Sequence, residues 1–182
     1  MTTYICFLRG VNVGGNKLLK MDTLRTLCES IAGVTGAKTY LQSGNAVFRS
    51  SLDRGVLAKR IEDGIRKATG FEAKVILRTA SEMREVIAAN PFTAGQRNPK
   101  AFLVAFLGGS ISKDARALLL KLKIDSEEIH VGDRELYLYL PAGIAGSKLS
   151  NALTEKKIGV NVTARNWNTV NALLEMAEEL SI

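Results

Sequence analysis

Apolar and polar positions in the first half of the chain follow two alternating patterns. Apolar runs of about six residues, bounded by Gly, Asn or Ser, predict strands, whereas apolar positions three or four residues apart predict one buried helix face. The predicted order is strand, helix, strand, strand, helix, strand. The strands are Thr3–Leu8, Ala37–Leu41, Asn45–Arg49 and Ala73–Arg78, and the helices are marked by Leu24, Leu27, Cys28 and Ile31 and by Leu57, Ile61, Ile65 and Ala68.

The second half of the chain repeats this order and adds a terminal helix. The predicted strands are Ala101–Leu107, Glu128–Val131, Glu135–Leu140 and Ile158–Thr163, and the helices are marked by Ala115, Leu118, Leu119 and Leu122, by Ser147–Leu153, and by Val170, Leu173, Leu174, Ala177 and Leu180. The order βαββαβ is that of a ferredoxin-like unit. We therefore predict an α+β fold of two tandem ferredoxin-like lobes with a C-terminal helix. The string Phe7-Leu8-Arg9-Gly10 is echoed by Phe106-Leu107-Gly108-Gly109, which is a weak sign of duplication.

The two predicted lobes are separated by a proline-bearing segment. Ser81–Asn90 has the spacing of a connecting helix, and Pro91 and Pro99 then disfavour helix in the residues before them. We predict a first lobe at 1–90, a linker at 91–99 and a second lobe with the terminal helix at 100–182.

This topology predicts which loops meet in the first lobe. A right-handed helical crossover makes the first two strands parallel, and the third strand returns between them. The loop Arg9–Leu19 and the hairpin Gln42–Asn45 should therefore emerge at the same end of the sheet.

The same topology places two loops of the second lobe at one end of its sheet. Gly143–Lys148 opens one predicted helix and Arg165–Thr169 opens the last. A helix start offers free backbone N–H groups to an anion, but the more common role of a serine at this position, which we predict for Ser147, is to cap its own helix. Trp167 could stack on a ring or fill a core gap. If the lobes pack head to tail, the loop clusters of both would line one cleft.

The glycine-rich segment from Gly10 to Lys17 is close to a phosphate-binding P-loop but does not match it. Lys17 is one position late, and Leu18 stands where the magnesium-binding hydroxyl is required. The glycine spacing does not match a dinucleotide-binding fold either. The segment still combines flexible backbone with Arg9 and Lys17, as an anion site would. The alternative is an ordinary connecting loop.

Most of the net positive charge lies in the first half of the 182-residue chain. The 25 basic and 18 acidic residues give a net charge of +7, and residues 1–90 alone carry 14 basic and 8 acidic residues. A basic half attracts phosphate esters and nucleic acid. No apolar run approaches the ~20 residues of a membrane span. The two cysteines are too few for a disulfide framework, so we predict a cytoplasmic protein with no membrane partner.

The sequence offers no recognisable catalytic or metal-binding group. His130 is the single histidine and has no Cys or His at ligand spacing, so we predict a strand-surface residue. Cys6 and Cys28 fall at apolar positions and are predicted to be small buried side chains. No metal site and no cofactor are predicted, and an enzyme of unidentified reaction stays an open alternative.

Three strings in order resemble the bacterial family DUF1697, a domain of unknown function. They are Phe7-Leu-Arg-Gly-Val-Asn-Val-Gly-Gly15, Tyr40-Leu-Gln-Ser-Gly-Asn-Ala-Val-Phe48 and Ala164-Arg-Asn-Trp-Asn-Thr169. The resemblance covers nearly the whole chain. It implies a two-lobed α+β fold and a shared site, and it implies no reaction.

Together these observations predict a protein that binds a small anionic or polar ligand, such as a nucleotide or another phosphate ester. Sequence-tolerant nucleic-acid binding through the basic half is the alternative. The sequence does not predict an oligomeric state. The candidate ligand-binding residues are Arg9, Asn12, Gly14, Gly15, Lys17, Gln42, Ser43, Asn45, Arg165, Asn166 and Trp167.

Overall fold

Strands and helices alternate along the chain in an α+β arrangement. The computed structural model describes residues 1–15, 17–92, 98–122, 124 and 126–181, and eight strands and seven helices lie within them. The strands are β1 (Thr2–Arg9), β2 (Val34–Tyr40), β3 (Asn45–Ser50), β4 (Lys74–Thr79), β5 (Phe102–Leu107), β6 (Glu128–Val131), β7 (Glu135–Tyr139) and β8 (Val162–Asn166). The helices are α1 (Met21–Ser30), α2 (Arg54–Thr69), α3 (Ala80–Ala88), α4 (Lys113–Leu120), α5 (Lys148–Ala152), α6 (Glu155–Ile158) and α7 (Trp167–Glu179). None of these helices has the length and apolar character needed to cross a membrane.

The strands form two separate antiparallel sheets of four. One sheet has the order β2-β3-β1-β4 and the other the order β6-β7-β5-β8. In each sheet the third strand along the chain lies between the first and the second, because a helix joins the first two strands and a tight turn joins the second and third. The chain divides into two compact units, Met1–Arg84 with Ala172–Ile182, and Glu85–Asn171.

Helices α1 and α2 cover one face of the first sheet. The apolar stripe of α2 (Leu57, Ile61 and Ile65) is fully buried, and Leu24 and Cys28 of α1 are buried beside it. These side chains pack on alternate residues of β1, which point to one face of a strand. The start of α2 is fixed by Asp53, whose side chain accepts hydrogen bonds from the N–H groups at 55 and 56.

The second sheet has its own core on one face. Leu103, Ala105 and Leu107 alternate along β5 and pack with Leu119 of α4 and Leu149 of α5. Ser112 caps α4 by accepting a hydrogen bond from the N–H at 115. The two helical segments after β7 are short, with five residues in α5 and four in α6.

The end of helix α7 belongs to the first unit. The sequence analysis grouped the whole terminal helix with the second lobe, whereas residues from 172 onward make their contacts with the first. Glu178 accepts a hydrogen bond from Arg84 at 2.9 Å, and Glu179 lies 3.6 Å from Lys38. The division between the units falls at residues 84–85, within α3. Residues 93–97 of the predicted linker lie outside the described part of the chain.

One predicted strand is wrong in its position. The segment Ile158–Thr163 was predicted as a strand, but Ile158 is the last residue of α6 and β8 runs from Val162 to Asn166. The apolar residues before β8 gave a strand-like pattern. The strand itself carries the buried polar residues Thr163 and Arg165, which weaken its apolar signal.

Equivalent strands are paired in the same register in the two sheets. The matching strand pairs are Ile5 with Arg78 and Val104 with Arg165, and, two residues on, Phe7 with Ile76 and Phe106 with Thr163. Both arginines are buried, and each is the second-last residue of its strand. Each also donates a hydrogen bond from Nη1 to the carbonyl of the preceding residue. The short echo around Phe7 and Phe106 therefore falls at equivalent places in the two sheets.

Candidate functional site

Two loops of the first unit meet at the end of β1, as the topology predicts. We call them the rim, defined as residues 10–20 and 41–44. The side chain of Asn12 joins the two loops, because its Nδ2 donates to the carbonyl of Gln42 at 2.7 Å and to that of Leu19 at 2.9 Å. Its Oδ1 accepts from the N–H of Leu19 at 2.8 Å. Asn12 therefore holds the rim together from within.

The β2–β3 turn is closed by a second asparagine. Asn45 is fully buried, and its Nδ2 donates to the carbonyl of Tyr40 at 2.8 Å and to Oγ of Ser43 at 2.9 Å. Both hydrogens of this amide are used within the turn. Asn45, which was predicted to contact a ligand, is thus placed where it shapes the turn that carries Gln42 and Ser43.

Close packing fixes the turn against the first loop. Gly44 has a φ of +77°, and its carbonyl accepts a 2.8 Å hydrogen bond from the N–H of Leu8. A Cβ at this position would lie 2.6 Å from Cγ2 of Val11 and 2.7 Å from Cβ of Leu8. Only glycine fits both this backbone conformation and this approach.

The rim contains every described residue other than glycine that has a left-handed backbone. These residues are Asn12 (φ +56°), Lys17 (φ +51°) and Leu41 (φ +55°). Asparagine adopts this conformation readily, whereas leucine and lysine do so at a cost. Strain of this kind concentrates at functional sites, where the surrounding structure maintains it.

Polar groups at the rim are presented to solvent. Lys17, Gln42 and Ser43 are exposed, and Arg9 at the end of β1 is half-buried. The ammonium group of Lys17 donates to the carbonyl of Glu72 at 2.9 Å, which brings the loop before β4 to the same place. Gly14 and Gly15 are exposed with φ values of +61° and +77°. Asn16 lies outside the described residues.

The rim also carries exposed apolar side chains, which the sequence analysis did not predict. Val13 is 68% exposed, Leu18 is 71% exposed and Leu41 is 55% exposed. Three large apolar side chains at one rim are more than isolated surface residues. Their sequence signal is the presence of apolar residues inside a Gly/Asn-rich loop and a tight turn.

The residues predicted from the third string lie in the second unit and do not form a loop. Arg165 and Asn166 belong to β8, and helix α7 begins directly at Trp167. Arg165 is buried, and its Nη1 donates to Oγ1 of Thr163 and to the carbonyl at 164, both at 2.8 Å. Asn166 accepts from the N–H of Thr169 at 2.8 Å and thereby caps α7. Trp167 is half-buried.

The other helix start considered as an anion site is occupied by a carboxylate of the chain itself. Oε2 of Glu127 accepts from Oγ of Ser147 at 3.0 Å and from the N–H of Leu149 at 2.8 Å. Ser147 also accepts from the N–H of Ser150 at 2.9 Å, so it is the helix cap. The capping role predicted for Ser147 is confirmed.

Two titratable side chains outside the rim have pKa values that are raised by burial. Burial, with a smaller contribution from the Glu29 carboxylate, raises the pKa of Cys28 to about 12, so this thiol stays neutral. Burial first, and then Glu135, raise the pKa of Tyr137, whose hydroxyl donates to the carbonyl of Val86 at 2.8 Å.

His130 is exposed on β6, an edge strand, as predicted. Within the described residues no group of three or more His, Cys, Asp or Glu side chains could hold a metal ion.

Fold and rim together define an α+β protein with two four-stranded antiparallel sheets and two hydrogen-bonded polar loops in its first unit. The chain belongs to the family described as "Protein of unknown function (DUF1697)", whose model matches residues 1–137. The resemblance read from the sequence is thereby confirmed over these residues, and the third string, at 164–169, lies outside them. Comparison with curated protein sequences gives no match.

A solved structure has the same overall fold. It is described as the structure of conserved bacterial protein SP0830 from Streptococcus pneumoniae, and it superposes with a TM-score of 0.72. The sequences are 18% identical, and the match covers 97% of this chain and 98% of that one. At this identity the likeness concerns the fold alone.

Proposed function

We propose that the first unit binds a small anionic or polar ligand, such as a nucleotide or another phosphate ester, at the rim. The observation that carries this proposal is the concentration of left-handed backbone at Asn12, Lys17 and Leu41 in two loops joined by one side chain. A loop held in a strained conformation before binding loses little entropy when a ligand arrives. The three hydrogen bonds of Asn12 supply that pre-organisation.

The ligand contacts come from the exposed groups of the rim. Lys17 supplies a positive charge, and Gln42 and Ser43 supply amide and hydroxyl groups for orientation. Backbone N–H groups around Gly14 and Gly15 would receive phosphate or carboxylate oxygens. Asn12 and Asn45 act as positioning residues, because their amide hydrogens are already used.

The exposed apolar side chains favour a ligand with an apolar part. Val13, Leu18 and Leu41 would cover a base or another ring while Lys17 pairs with its phosphate. A nucleotide has both a ring and a phosphate group, whereas inorganic phosphate has no ring. This difference separates a nucleotide from a simple anion in a binding experiment.

A thermal-shift series tests this function on the full chain. Adenosine monophosphate is compared with adenosine and with inorganic phosphate, and a ligand that binds only the folded state raises Tm with its concentration. We expect the largest shift with adenosine monophosphate and a smaller shift in Lys17→Gln. The matched control is Lys113→Gln, which removes an exposed lysine of the second unit. Equal shifts in both variants, or no shift in the wild type, would remove the rim as the site.

Nucleic-acid binding is the second candidate, and the basic surplus of residues 1–90 favours it. Binding to a nucleic-acid backbone weakens steeply with salt because counterions are released. Fluorescence anisotropy with a single-stranded oligonucleotide at low and physiological salt measures this dependence. A steep salt dependence without a response to adenosine monophosphate would favour the second candidate over the first.

We also propose that each unit is a ferredoxin-like lobe. The proposal is supported by the βαββ order shared by both units and by the strand order second, third, first, fourth in each sheet. The second unit departs from the simplest form because two short helices, α5 and α6, precede its last strand.

A further inference from the structure

A cavity with several polar side chains in its lining lies at the end of the first sheet opposite to the rim. It has a volume of about 310 Å³ and lies where β1 begins and where β3 and β4 end. The side chains that matter for its chemistry are Thr3, Arg49, Ser81, Arg84 and Ser181. All of them belong to the first unit. None was predicted as a site residue from the sequence.

Arg49 brings to this cavity a positive charge that none of the described residues neutralises. The residue is half-buried on β3, opposite Thr3 of β1. No residue in the described part of the chain accepts a hydrogen bond from its guanidinium or forms an ion pair with it. A guanidinium that is partly removed from water gains from an anionic partner, which makes Arg49 the centre of the site.

Arg84 adds a second guanidinium whose terminal nitrogens form no hydrogen bond with a described residue. Only Nε is engaged, in a 2.9 Å hydrogen bond to Oε1 of Glu178. Glu178 offsets the positive charge of Arg84, and no described residue offsets the charge of Arg49. The carboxylate of Glu82, the residue after Ser81, is held by Arg54 in a bidentate pair at 2.8 and 2.9 Å.

The hydroxyl groups of the cavity have distinct roles. Ser181 donates its hydrogen to the carbonyl of Ala177 at 2.8 Å, so in the 2.9 Å contact between Thr3 and Ser181 the donor is Thr3. Those two hydroxyls are therefore committed to the protein. Ser81 is exposed and has no such commitment within the described residues, so its hydroxyl can donate to a ligand.

We propose that this cavity binds the phosphate group of a small phosphate monoester. Guanidinium groups match phosphate oxygens with paired N–H donors, and Arg49 with Arg84 supplies two such groups beside the Ser81 hydroxyl. The volume is at the lower end for small-molecule sites, which limits the ligand to a few heavy atoms beyond the phosphate. This site is separate from the rim, and it stands independently of the function proposed there.

Isothermal titration of the full chain with glycerol 3-phosphate tests the proposal. We expect saturable binding by the wild type and a dissociation constant about tenfold higher or more in Arg49→Gln, because a charge-assisted pair is lost. The matched control is Arg60→Gln, which removes the same charge from an exposed position of the same unit and should leave binding unchanged. Ser81→Ala is a milder second variant, expected to weaken binding while the circular dichroism spectrum and Tm stay at wild-type values.

Two competing ligands and a rim variant test whether the binding depends on the phosphate group and on this cavity. Inorganic phosphate should compete with glycerol 3-phosphate, whereas glycerol should not. Lys17→Gln, at the rim, should leave this binding intact. The proposal is overturned if the wild type does not bind at millimolar concentration, if Arg60→Gln weakens binding as much as Arg49→Gln, or if Lys17→Gln abolishes binding that Arg49→Gln preserves.

Discussion

Asn12 donates a 2.7 Å hydrogen bond from its side-chain amide to the main-chain carbonyl of Gln42, thirty residues away in the chain. The same side chain closes two hydrogen bonds with the backbone of Leu19. Asn12 also has a left-handed backbone, which asparagine adopts more readily than an apolar residue does. An apolar residue at this position would lack both the hydrogen bonds and the preference for this conformation. One residue thus determines how two loops are placed at the rim.

Replacement of Asn12 should separate these two contributions. Asn12→Gly keeps the backbone conformation and loses three hydrogen bonds, so we expect a loss of about 2 kcal/mol in the free energy of unfolding. Asn12→Ala should lose about 1 kcal/mol more, because alanine tolerates the left-handed region poorly. Urea unfolding of the two variants measures both values. Equal stability of the two variants would show that the backbone conformation carries no cost at this position.

The turn at Gly44 should not tolerate a side chain. Gly44→Ala would place its Cβ 2.6 Å from Cγ2 of Val11, so we expect a loss of about 3 kcal/mol from overpacking and backbone strain together. Gly10→Ala is the matched control, because its φ is +70° but nothing lies within 4 Å of the added Cβ. That control should cost about 1 kcal/mol. The same cost for both variants in urea unfolding would contradict the packing argument.

Leu41 should be a position where stability can be gained. Its left-handed backbone is unfavourable for leucine, and its side chain is 55% exposed, so little burial is lost on replacement. We expect Leu41→Asn to raise the free energy of unfolding by about 0.5 to 1 kcal/mol, because asparagine accepts this conformation. If the leucine is kept for ligand contact, the same variant should show a smaller thermal shift with adenosine monophosphate. A decrease in stability would show that Leu41 has packing that outweighs its strain.

Cys28 should make the fold sensitive to high pH. Its pKa is raised from an ordinary value of 9.0 to about 12 by burial and, less, by Glu29. The contribution to stability is therefore complete below the ordinary value and declines as the pH rises toward the folded value. We expect a loss of about 1 kcal/mol at pH 10 in wild-type unfolding by urea. Cys28→Ala should show a shallower decline over the same interval, and identical slopes would remove Cys28 as the cause.

The order of helices and strands in the first unit could be predicted from the sequence because its apolar residues are buried where their spacing requires. Leu57, Ile61 and Ile65 mark α2, and the alternate positions of β1 face the same core. The meeting of the two loops followed from connectivity alone, since a helical crossover fixes the direction of β2. The predicted ends of these strands differ from the structure by at most three residues, with the largest difference at Val34, where β2 begins.

The candidate site was harder to derive from the residues. Asn12 and Asn45 were predicted as ligand contacts because amides suit polar ligands, but in the structure their hydrogens bind backbone carbonyls. Neighbouring residues in the sequence cannot reveal which carbonyls a folded loop presents. The same limit applies to Arg49, whose importance depends on the absence of a partner among described residues and on the cavity beside it.

The first unit is built from two separate stretches of the polypeptide. Residues from 172 onward provide Glu178, Glu179 and Ser181 to partners within residues 1–84. A ribosome that has completed the first 84 residues has therefore not yet supplied every contact of this unit. The first sheet can form early in translation, but the unit is finished only when residues from 172 onward emerge and dock, so folding of the first unit is completed only after the second unit has been synthesised.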